Sequence, residues 1–469
     1  MYYLVVFLVI SLLSVGIILM KKPFFSFAYA TSGLLNSMLE SNEDENYKQK
    51  GLIQNLGKIL SKFGILLFYI TITIGVSLIP VILYVEFKPA SIDELDTSSF
   101  YFILSMLLGS VVLFIFPRKN KTKNEDYSDW SKLLHRMILD HYNISRSLFH
   151  LERRVYKKKL EKQNDNFVIV TGLARGGTTA LTNLLYESKK FHSLSYDNMP
   201  FLLSVNLWGI FYHPRKSRLK ERAHGDNILF GYDTIEALEE YFFKAFLKDK
   251  FITTSTLEKH DINQRIYESY LAYQNLVRKK DTDSTYLAKN NNLILRYRSL
   301  RKYNPGFKII LIFRSPEAHA FSLLNQHKRF AKMQGKDPFA LEYMNWLGHH
   351  EFGLNHKVFD LNLMDLREKY ESTSINYWIA VWISYYTYIL TLVDDKHLFL
   401  IDYSDLCSRP NELLSTMGNL LNMNLTIRRR DPYDQRHPLD LKVSPELDEK
   451  SNLIYQELIK HKVEIQNVI

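Results

Sequence analysis

The residues best suited to chemistry lie in one stretch, Phe167–Leu185, which reads FVIVTGLARGGTTALTNLL. Val168–Val170 are apolar and β-branched, which predicts a buried parallel strand. A glycine-rich turn follows, and a helix is predicted to begin at Thr178, where free N–H groups and the helix dipole attract phosphate. Arg175 adds a planar, permanently charged group. The candidate phosphate-binding residues are Gly172, Arg175, Gly176, Gly177, Thr178 and Thr179.

This loop differs from the common nucleoside-triphosphate P-loop, G-x-x-x-x-G-K-[ST]. Gly177 is followed directly by Thr178, with no lysine between them, and the cation stands earlier at Arg175. The difference argues against an ATPase, in which the lysine reaches the β- and γ-phosphates. A loop that binds one phosphate and holds a cation beside the next leaving group fits better. A P-loop kinase or other NTP-dependent transferase is the alternative enzyme class.

A second stretch also combines an apolar strand, an arginine and a helix. It is Phe307–Phe330, FKIILIFRSPEAHAFSLLNQHKRF. Lys308–Phe313 predicts another buried strand, which ends at Arg314, and Ser322 follows within a predicted helix. Eight residues of helix are roughly two turns, so an arginine at the strand end and this serine can converge on one anion.

The two motifs together resemble those of sulfotransferases over about Asn166–Leu421. The first is similar to the family's 5′-phosphosulfate loop, and the second to its strand, R-x-P and serine-bearing helix. The resemblance implies that Arg314 and Ser322 hold the 3′-phosphate of the donor 3′-phosphoadenylyl sulfate (PAPS). It also implies that Lys289, in Tyr286–Asn292, contacts the sulfonate being transferred.

The catalytic groups follow from the same resemblance. Arg175 and Lys289 are expected to neutralise the bridging oxygen as it leaves, because sulfonate transfer relies on positioning and charge stabilisation. Asp197 is the candidate base, although similar chains favour an acidic residue one position later, where this one has Asn198. His224, in a polar loop, is a second candidate base.

Two further polar clusters have less defined roles. Trp346–His356 contains His349, His350, Glu351 and His356, but their spacing is not that of a zinc site, so acceptor-pocket or structural roles are favoured. No metal is expected. Arg428–Arg430 is a basic run that either supplements the 3′-phosphate site or forms a solvated cluster.

Composition narrows the class of protein. The formal charge of +10 and pI of about 9.1 suit anionic ligands or a membrane surface, and no nucleic-acid recognition motif is present. A single cysteine, Cys407, excludes an intrachain disulfide.

The first 117 residues are markedly apolar. Three stretches are candidate membrane spans: Tyr2–Met20, Phe63–Val85 and Phe100–Phe116. Basic residues follow the first span, precede the second and follow the third, whereas the loop between the second and third is acidic. The positive-inside rule then predicts an external N-terminus and a cytoplasmic catalytic domain. Buried helices of a soluble protein are the alternative.

The predicted fold is α/β, a P-loop-type parallel sheet flanked by helices and preceded by an α-helical membrane region. We expect a membrane region at 1–125, a basic helical linker at 126–165 and a sulfotransferase catalytic domain at 166–469. Four core strands are predicted, at Val168–Thr171, about Thr285–Ala288, Lys308–Phe313 and Leu398–Ile401.

The leading hypothesis is an integral membrane sulfotransferase that transfers sulfonate from PAPS. Its partners would be the lipid bilayer and a membrane-associated glycan or glycolipid acceptor, and not nucleic acid. The non-enzymatic alternative is a membrane scaffold that retains a degenerate nucleotide-binding fold.

Overall fold

The structure is a computed structural model in which the chain forms two compact units, Met1–Ile144 and Ser145–Ile469. It describes residues 2–39, 45–87, 100–110, 128–160, 164–212, 220–221, 229–230, 235–278, 284–361, 369–427, 430–432 and 442–465.

The first unit is helical. Its helices are α1 (Tyr2–Met38), α2 (Glu45–Phe87), α3 (Phe100–Ser110) and α4 (Asp129–Leu139). Among the described residues, Tyr2–Met38 and Gly51–Phe87 are long and apolar enough to cross a membrane, and only 11% of the most apolar window of each is buried. A core helix of a soluble domain would bury most of that surface.

Helices α1 and α2 pack closely against each other. Gly16 allows the approach, since a Cβ atom there would lie 2.0 Å from Cγ2 of Thr73. Small residues at such crossings are typical of helices that associate in a membrane. The third predicted span is described only as the 11-residue helix α3, and 111–116 lie outside the described residues, so that span stays a prediction.

The second unit alternates helices and strands around one sheet. Its helices are α5 (Tyr142–Val155, which begins at the end of the first unit), α6 (Lys157–Leu160), α7 (Thr178–Tyr186), α8 (Val205–Phe211), α9 (Glu240–Leu247), α10 (Gln264–Val277), α11 (Tyr297–Tyr303), α12 (Pro316–Lys336), α13 (Pro338–Trp346), α14 (Ile375–Leu390), α15 (Tyr403–Ser408), α16 (Pro410–Leu421) and α17 (Pro445–His461). Its strands are β1 (Phe167–Thr171), β2 (Phe191–His192), β3 (Lys220–Glu221), β4 (Leu229–Phe230), β5 (Thr256–Glu258), β6 (Thr285–Lys289), β7 (Lys308–Phe313), β8 (Val358–Asp360) and β9 (Leu398–Asp402).

The main sheet has five strands in the order β2-β6-β1-β7-β9, and every pairing in it is parallel. The four predicted strands are all present, each within about one residue of its expected bounds. The edge strand β2 was not predicted, because two residues are too short to show a periodic pattern. Two pairs stand apart, β3 with β4 and β5 with β8.

Helices cover both faces of this sheet, as the predicted α/β class requires. Alternate residues of β1 and β7 pack against α7 and α16, with Val168, Ile310, Leu184 and Met417 in one buried cluster. On the opposite face the ring of Phe167 lies 5.8 Å from that of Tyr270 in α10. Burial on both faces explains why the strands are continuously apolar.

A buried polar network lies beside the end of β6. The Arg296 guanidinium donates to both Glu240 carboxylate oxygens, at 2.7 and 2.5 Å. Neighbouring Glu239 accepts hydrogen bonds from the Tyr270 and Tyr286 hydroxyls and from Asn290, and burial raises its pKa. These bonds fix the chain directly after Lys289, so the network supports the edge of the sheet at which the candidate site lies.

Replacing Arg296 with methionine is expected to lower the unfolding free energy of this unit by about 3–5 kcal/mol, because Glu240 would keep a buried charge without its bidentate partner. Urea titration of the full-length chain in detergent, followed by tryptophan fluorescence, measures the change. Arg298→Met is the matched control, since that side chain is exposed on the same turn. Equal losses in the two variants would contradict this account of the network.

Candidate functional site

The candidate site lies at the carboxyl edge of the parallel sheet. In the sheet register Thr171 pairs with Leu311, Val170 with Lys289, and Phe313 with Asp402, so the central strands end at similar heights. Strands β2 and β6, which follow β1 in the chain, lie on one side of it, and the chain then crosses from β6 to β7 on the other side of β1. Open α/β sheets bind ligands at such a switch point.

The loop from Gly172 to Gly177 has a backbone that only certain residues tolerate. Gly172 has φ +147°, and a Cβ atom there would lie 2.6 Å from the Ile312 carbonyl oxygen. Gly177 has φ +104°, and its Cβ would lie 2.5 Å from the Tyr403 ring. Arg175 also adopts a left-handed conformation, with φ 71°. The glycines therefore allow the loop to pack against β7 and α15 while it turns into α7.

The first turn of α7 has N–H groups available to a ligand. Its N-cap residue is Gly177, which provides no side-chain cap, and Thr178 and Thr179 follow at the first two helical positions. Thr178 is buried, whereas Thr179 is half-buried. This is the arrangement that binds phosphate at helix N-termini.

His319 of α12 forms a hydrogen bond with the backbone of this loop. Its Nε2 lies 2.8 Å from the Ala174 carbonyl oxygen, which makes that nitrogen the donor. Burial lowers the pKa of His319 to about 3, and the nearby charges of Arg314 and Arg175 lower it as well. The imidazole is therefore neutral at pH 7. The sequence offered no clear signal for this role, since a histidine in a helix has many possible partners.

The two predicted phosphate motifs meet in space. The Nε of Arg175 donates to Oγ of Ser322 at 3.2 Å, although 147 positions separate the two residues in the chain. The Arg314 guanidinium lies 4.7 Å from the centre of the Tyr403 ring. Burial lowers the pKa of Arg314, and Arg175 contributes in the same direction. Two guanidinium groups that repel each other form a site that an anion stabilises.

Lys289 reaches the same loop from β6. Its Nζ donates to Thr179 Oγ1 at 2.7 Å and to Glu236 Oε1 at 2.9 Å, and both members of the Lys289–Glu236 pair are more than nine-tenths buried. Sequence reasoning identified Lys289 but missed Glu236. The sequence signal for Glu236 was weak, because it consists only of an acid beside the apolar residues Ile235, Ala237 and Leu238. The structure shows that these three neighbours are buried.

The candidate bases are Asp197 and His224. Asp197 lies in the short 3₁₀ helix Tyr196–Asn198, after the edge strand β2, and its backbone oxygen accepts a hydrogen bond from Trp208 Nε1 at 3.1 Å. The Asn198 side chain accepts from the Ser195 N–H at 2.9 Å and so caps this turn. His224 lies outside the described residues. The catalytic role of Asp197 therefore stays a prediction.

The histidine-rich segment Trp346–His356, which follows α13, contacts the chain just after β6. Asn291 Nδ2 donates to Glu351 Oε1 at 3.0 Å, and His349 Nδ1 lies 3.5 Å from the same oxygen. Burial alone would raise the pKa of Glu351. The charge of His349 and the hydrogen bonds to the carboxylate outweigh burial and lower this pKa to about 2. Within the described residues no three histidine, cysteine, aspartate or glutamate side chains form a metal-binding group.

The basic run at Arg428–Arg430 is described only at Arg430. Its guanidinium pairs with Glu187, just beyond the end of α7, and its backbone N–H donates to Asn411 Oδ1 at 3.0 Å. Arg430 therefore lies against the C-terminal end of α7, away from the N-terminal end that is predicted to bind phosphate. Arg428 and Arg429 lie outside the described residues.

A P-loop-type sheet with these two basic motifs defines a class of nucleotide-dependent transferase. The profile of the sulfotransferase domain matches residues 165–442, which is more than half of the chain. The chain therefore belongs to the sulfotransferase domain family and is an enzyme of that family, whose members generally use PAPS. The predicted resemblance is confirmed. No curated protein sequence matches this chain.

Solved sulfotransferase structures resemble the chain at low identity. Sulfotransferase STF1 from Mycobacterium tuberculosis is 13% identical, with 71% of this chain and 86% of that chain covered and a TM-score of 0.39. Sulfotransferase STF9 from Mycobacterium avium is 13% identical, with 76% and 82% covered and a TM-score of 0.38. A sulfotransferase from Alicyclobacillus acidocaldarius is 13% identical, with 64% and 94% covered and a TM-score of 0.30.

Gly177→Ala is expected to weaken binding of 3′,5′-ADP, the desulfonated donor product, at least tenfold. A side chain there requires both a left-handed backbone and displacement of the Tyr403 ring, which moves the loop out of position. Isothermal titration calorimetry measures the affinity. Gly335→Ala in α12 is the control, because its Cβ would meet nothing within 4 Å. Unchanged affinity in Gly177→Ala would contradict the assigned role of the loop.

Proposed function

We propose that this sulfotransferase transfers the sulfonate of PAPS to a hydroxyl or amine of a membrane-associated acceptor, such as a glycan or glycolipid. The observation that carries the donor assignment is the contact between Arg175 and Ser322, which joins the two phosphate motifs into one basic site. The absence of a lysine between Gly177 and Thr178 disfavours the P-loop kinase alternative.

The donor would be held by its two phosphate groups. The N–H groups at the start of α7, with Gly172, Gly176, Gly177, Thr178 and Thr179 around them, suit the 5′-phosphosulfate. Arg314 and Ser322 suit the 3′-phosphate, and Arg175 stands between the two sets because it contacts Ser322. Charge-assisted hydrogen bonds to phosphate are stronger than hydrogen bonds between neutral groups, so these contacts would provide much of the donor affinity.

Lys289 and Arg175 would stabilise the charge that develops on the bridging oxygen as the sulfonate departs. Lys289 is well suited to this because its ammonium group already contacts Thr179 in the phosphate loop. Glu236 holds that ammonium in position through a buried ion pair. A fixed cation needs no reorganisation during the reaction, which is the main source of electrostatic catalysis.

The acceptor must lose a proton as its oxygen or nitrogen attacks sulfur. Asp197 is the proposed base, supported by its place after β2, at the side of the sheet where Lys289 lies. His224 is the second candidate for the same role. Retention of Arg175, Lys289, Arg314 and Ser322 disfavours the alternative of a non-catalytic membrane scaffold.

Membrane attachment supports the proposed acceptor class. Helices α1 and α2 could span a bilayer, and the basic residues between their apolar stretches favour a cytoplasmic loop there. The third predicted span, Phe100–Phe116, and the basic residues that follow it would then return the chain to the cytoplasm, so that the catalytic domain is cytoplasmic. PAPS would then be bound from the cytoplasm, and an acceptor held at the bilayer would meet an enzyme held at the same surface.

The donor assignment is tested by calorimetric titration of the full-length protein in detergent with 3′,5′-ADP and, separately, with ATP. We expect 3′,5′-ADP to bind more tightly than ATP, and Arg314→Ala to weaken it by about tenfold to a hundredfold through loss of charge-assisted hydrogen bonds. Arg329→Ala is the control, since that arginine is exposed on α12 beyond Ser322. A preference for ATP would remove the PAPS assignment.

The role of Lys289 is tested by following radiolabelled sulfonate from PAPS into a membrane lipid extract. Lys289→Met is expected to lower kcat by about 10²–10³, the usual cost of removing one donor to a developing negative charge, while 3′,5′-ADP affinity changes little. Lys308→Met is the control, because Lys308 begins β7, at the opposite edge of the same sheet from Lys289. Equal losses in rate and 3′,5′-ADP affinity would limit Lys289 to donor binding.

A further inference from the structure

A small basic cleft lies between α1 and α2, separate from the transferase site. It has a volume of about 260 Å³ and is lined by Lys22, Pro23 and Ser26 of α1 and by Lys62, Ile65 and Tyr69 of α2. Two ammonium groups, two hydroxyl groups and an apolar wall therefore face one space. Within the described residues neither Lys22 nor Lys62 has an acidic partner, whereas neighbouring Lys21 pairs with Asp129.

The cleft lies where both apolar stretches end. Lys22 follows the run Tyr2–Met20, and Lys62 directly precedes Phe63–Val85. The two helices are held together on either side of it, at Gly16 with Thr73 and at Phe27 with Phe63, whose ring centres are 5.7 Å apart. In a bilayer this position corresponds to the headgroup level.

The surface next to the cleft is apolar. Leu19 and Phe68 are 58% and 61% exposed, and Phe63 and Ile65 are also exposed. A ligand whose anionic group enters the cleft would therefore place any attached hydrocarbon chain along this surface. A soluble anion would gain nothing from these contacts, whereas an amphiphile would bury apolar area.

We propose that this cleft binds the phosphate headgroup of an anionic membrane lipid. Basic pockets between transmembrane helices on the cytoplasmic side are suited to such headgroups. Lys22 and Lys62 supply the charge, and the hydroxyls of Ser26 and Tyr69 can donate to phosphate oxygens. The inference depends on the proposed membrane insertion of α1 and α2, and it is independent of sulfonate transfer.

The test is native mass spectrometry of the full-length protein in a neutral detergent, titrated with phosphatidylglycerol or with phosphatidylcholine of the same acyl chains. We expect phosphatidylglycerol to be retained preferentially. Lys22→Gln or Lys62→Gln should each weaken its binding about fivefold, and the double variant about thirtyfold. Arginine at both positions should restore binding, because it keeps the charges and can donate to phosphate.

Lys58→Gln is the matched control, since it removes the same charge from an exposed position of α2 outside the cleft. A loss in Lys58→Gln equal to that in Lys62→Gln would overturn the site in favour of diffuse attraction. Equal retention of the two lipids would overturn the headgroup assignment, and displacement of the lipid by inorganic phosphate at the same concentration would overturn the lipid assignment.

Membrane insertion is measured separately, by extraction of the membranes with alkaline carbonate. Release of the chain into the supernatant would overturn the proposed insertion and the lipid site with it. Retention in the membrane, combined with no preference for phosphatidylglycerol, would overturn the lipid site alone. Neither result changes the donor assignment, which depends on 3′,5′-ADP binding.

Discussion

The attachment of the phosphate loop to α12 is the interaction on which the site depends. Two side chains of one helix hold the loop: His319 donates to the Ala174 carbonyl oxygen, and Ser322 accepts from Arg175. Because α12 begins just beyond β7, these bonds join the ends of two neighbouring strands. The shape of the loop therefore depends on this attachment and on the glycines that allow it.

Positive charge concentrated at one sheet edge requires balancing charge nearby. Buried Lys289 is paired with Glu236, and beside it Arg296 is paired with Glu240. These acids serve different purposes. The Arg296–Glu240 pair stabilises the chain after β6, whereas the Lys289–Glu236 pair contacts the loop through Thr179. Arg175 and Arg314 act on each other in the same region, which favours an incoming dianion.

Much of this could be predicted from sequence, because the informative features are local. Four apolar runs predicted four of the five strands of the main sheet, and the glycines, arginines and Ser322 stand at short distances along the chain from the strand ends. Glu236 and His319 could not be predicted in this way. Their partners, Lys289 and Ala174, lie 53 and 145 positions away, and no local pattern encodes such a pairing. Long apolar helices were equally evident, since length and hydropathy are properties of the chain alone.

Residue types at close spacing in the chain were enough to predict β1, β6, β7 and β9, the glycine-rich loop, the family and the candidate cations. Which of these groups meet depends on how the chain folds. The tertiary structure brings Arg175 to Ser322, Lys289 to Glu236 and Thr179, and Lys22 to the face of α2 that carries Lys62. Hydrogen bonds and ion pairs need distances of about 3 Å in space, whereas the order of residues in the chain fixes the distances only between near neighbours.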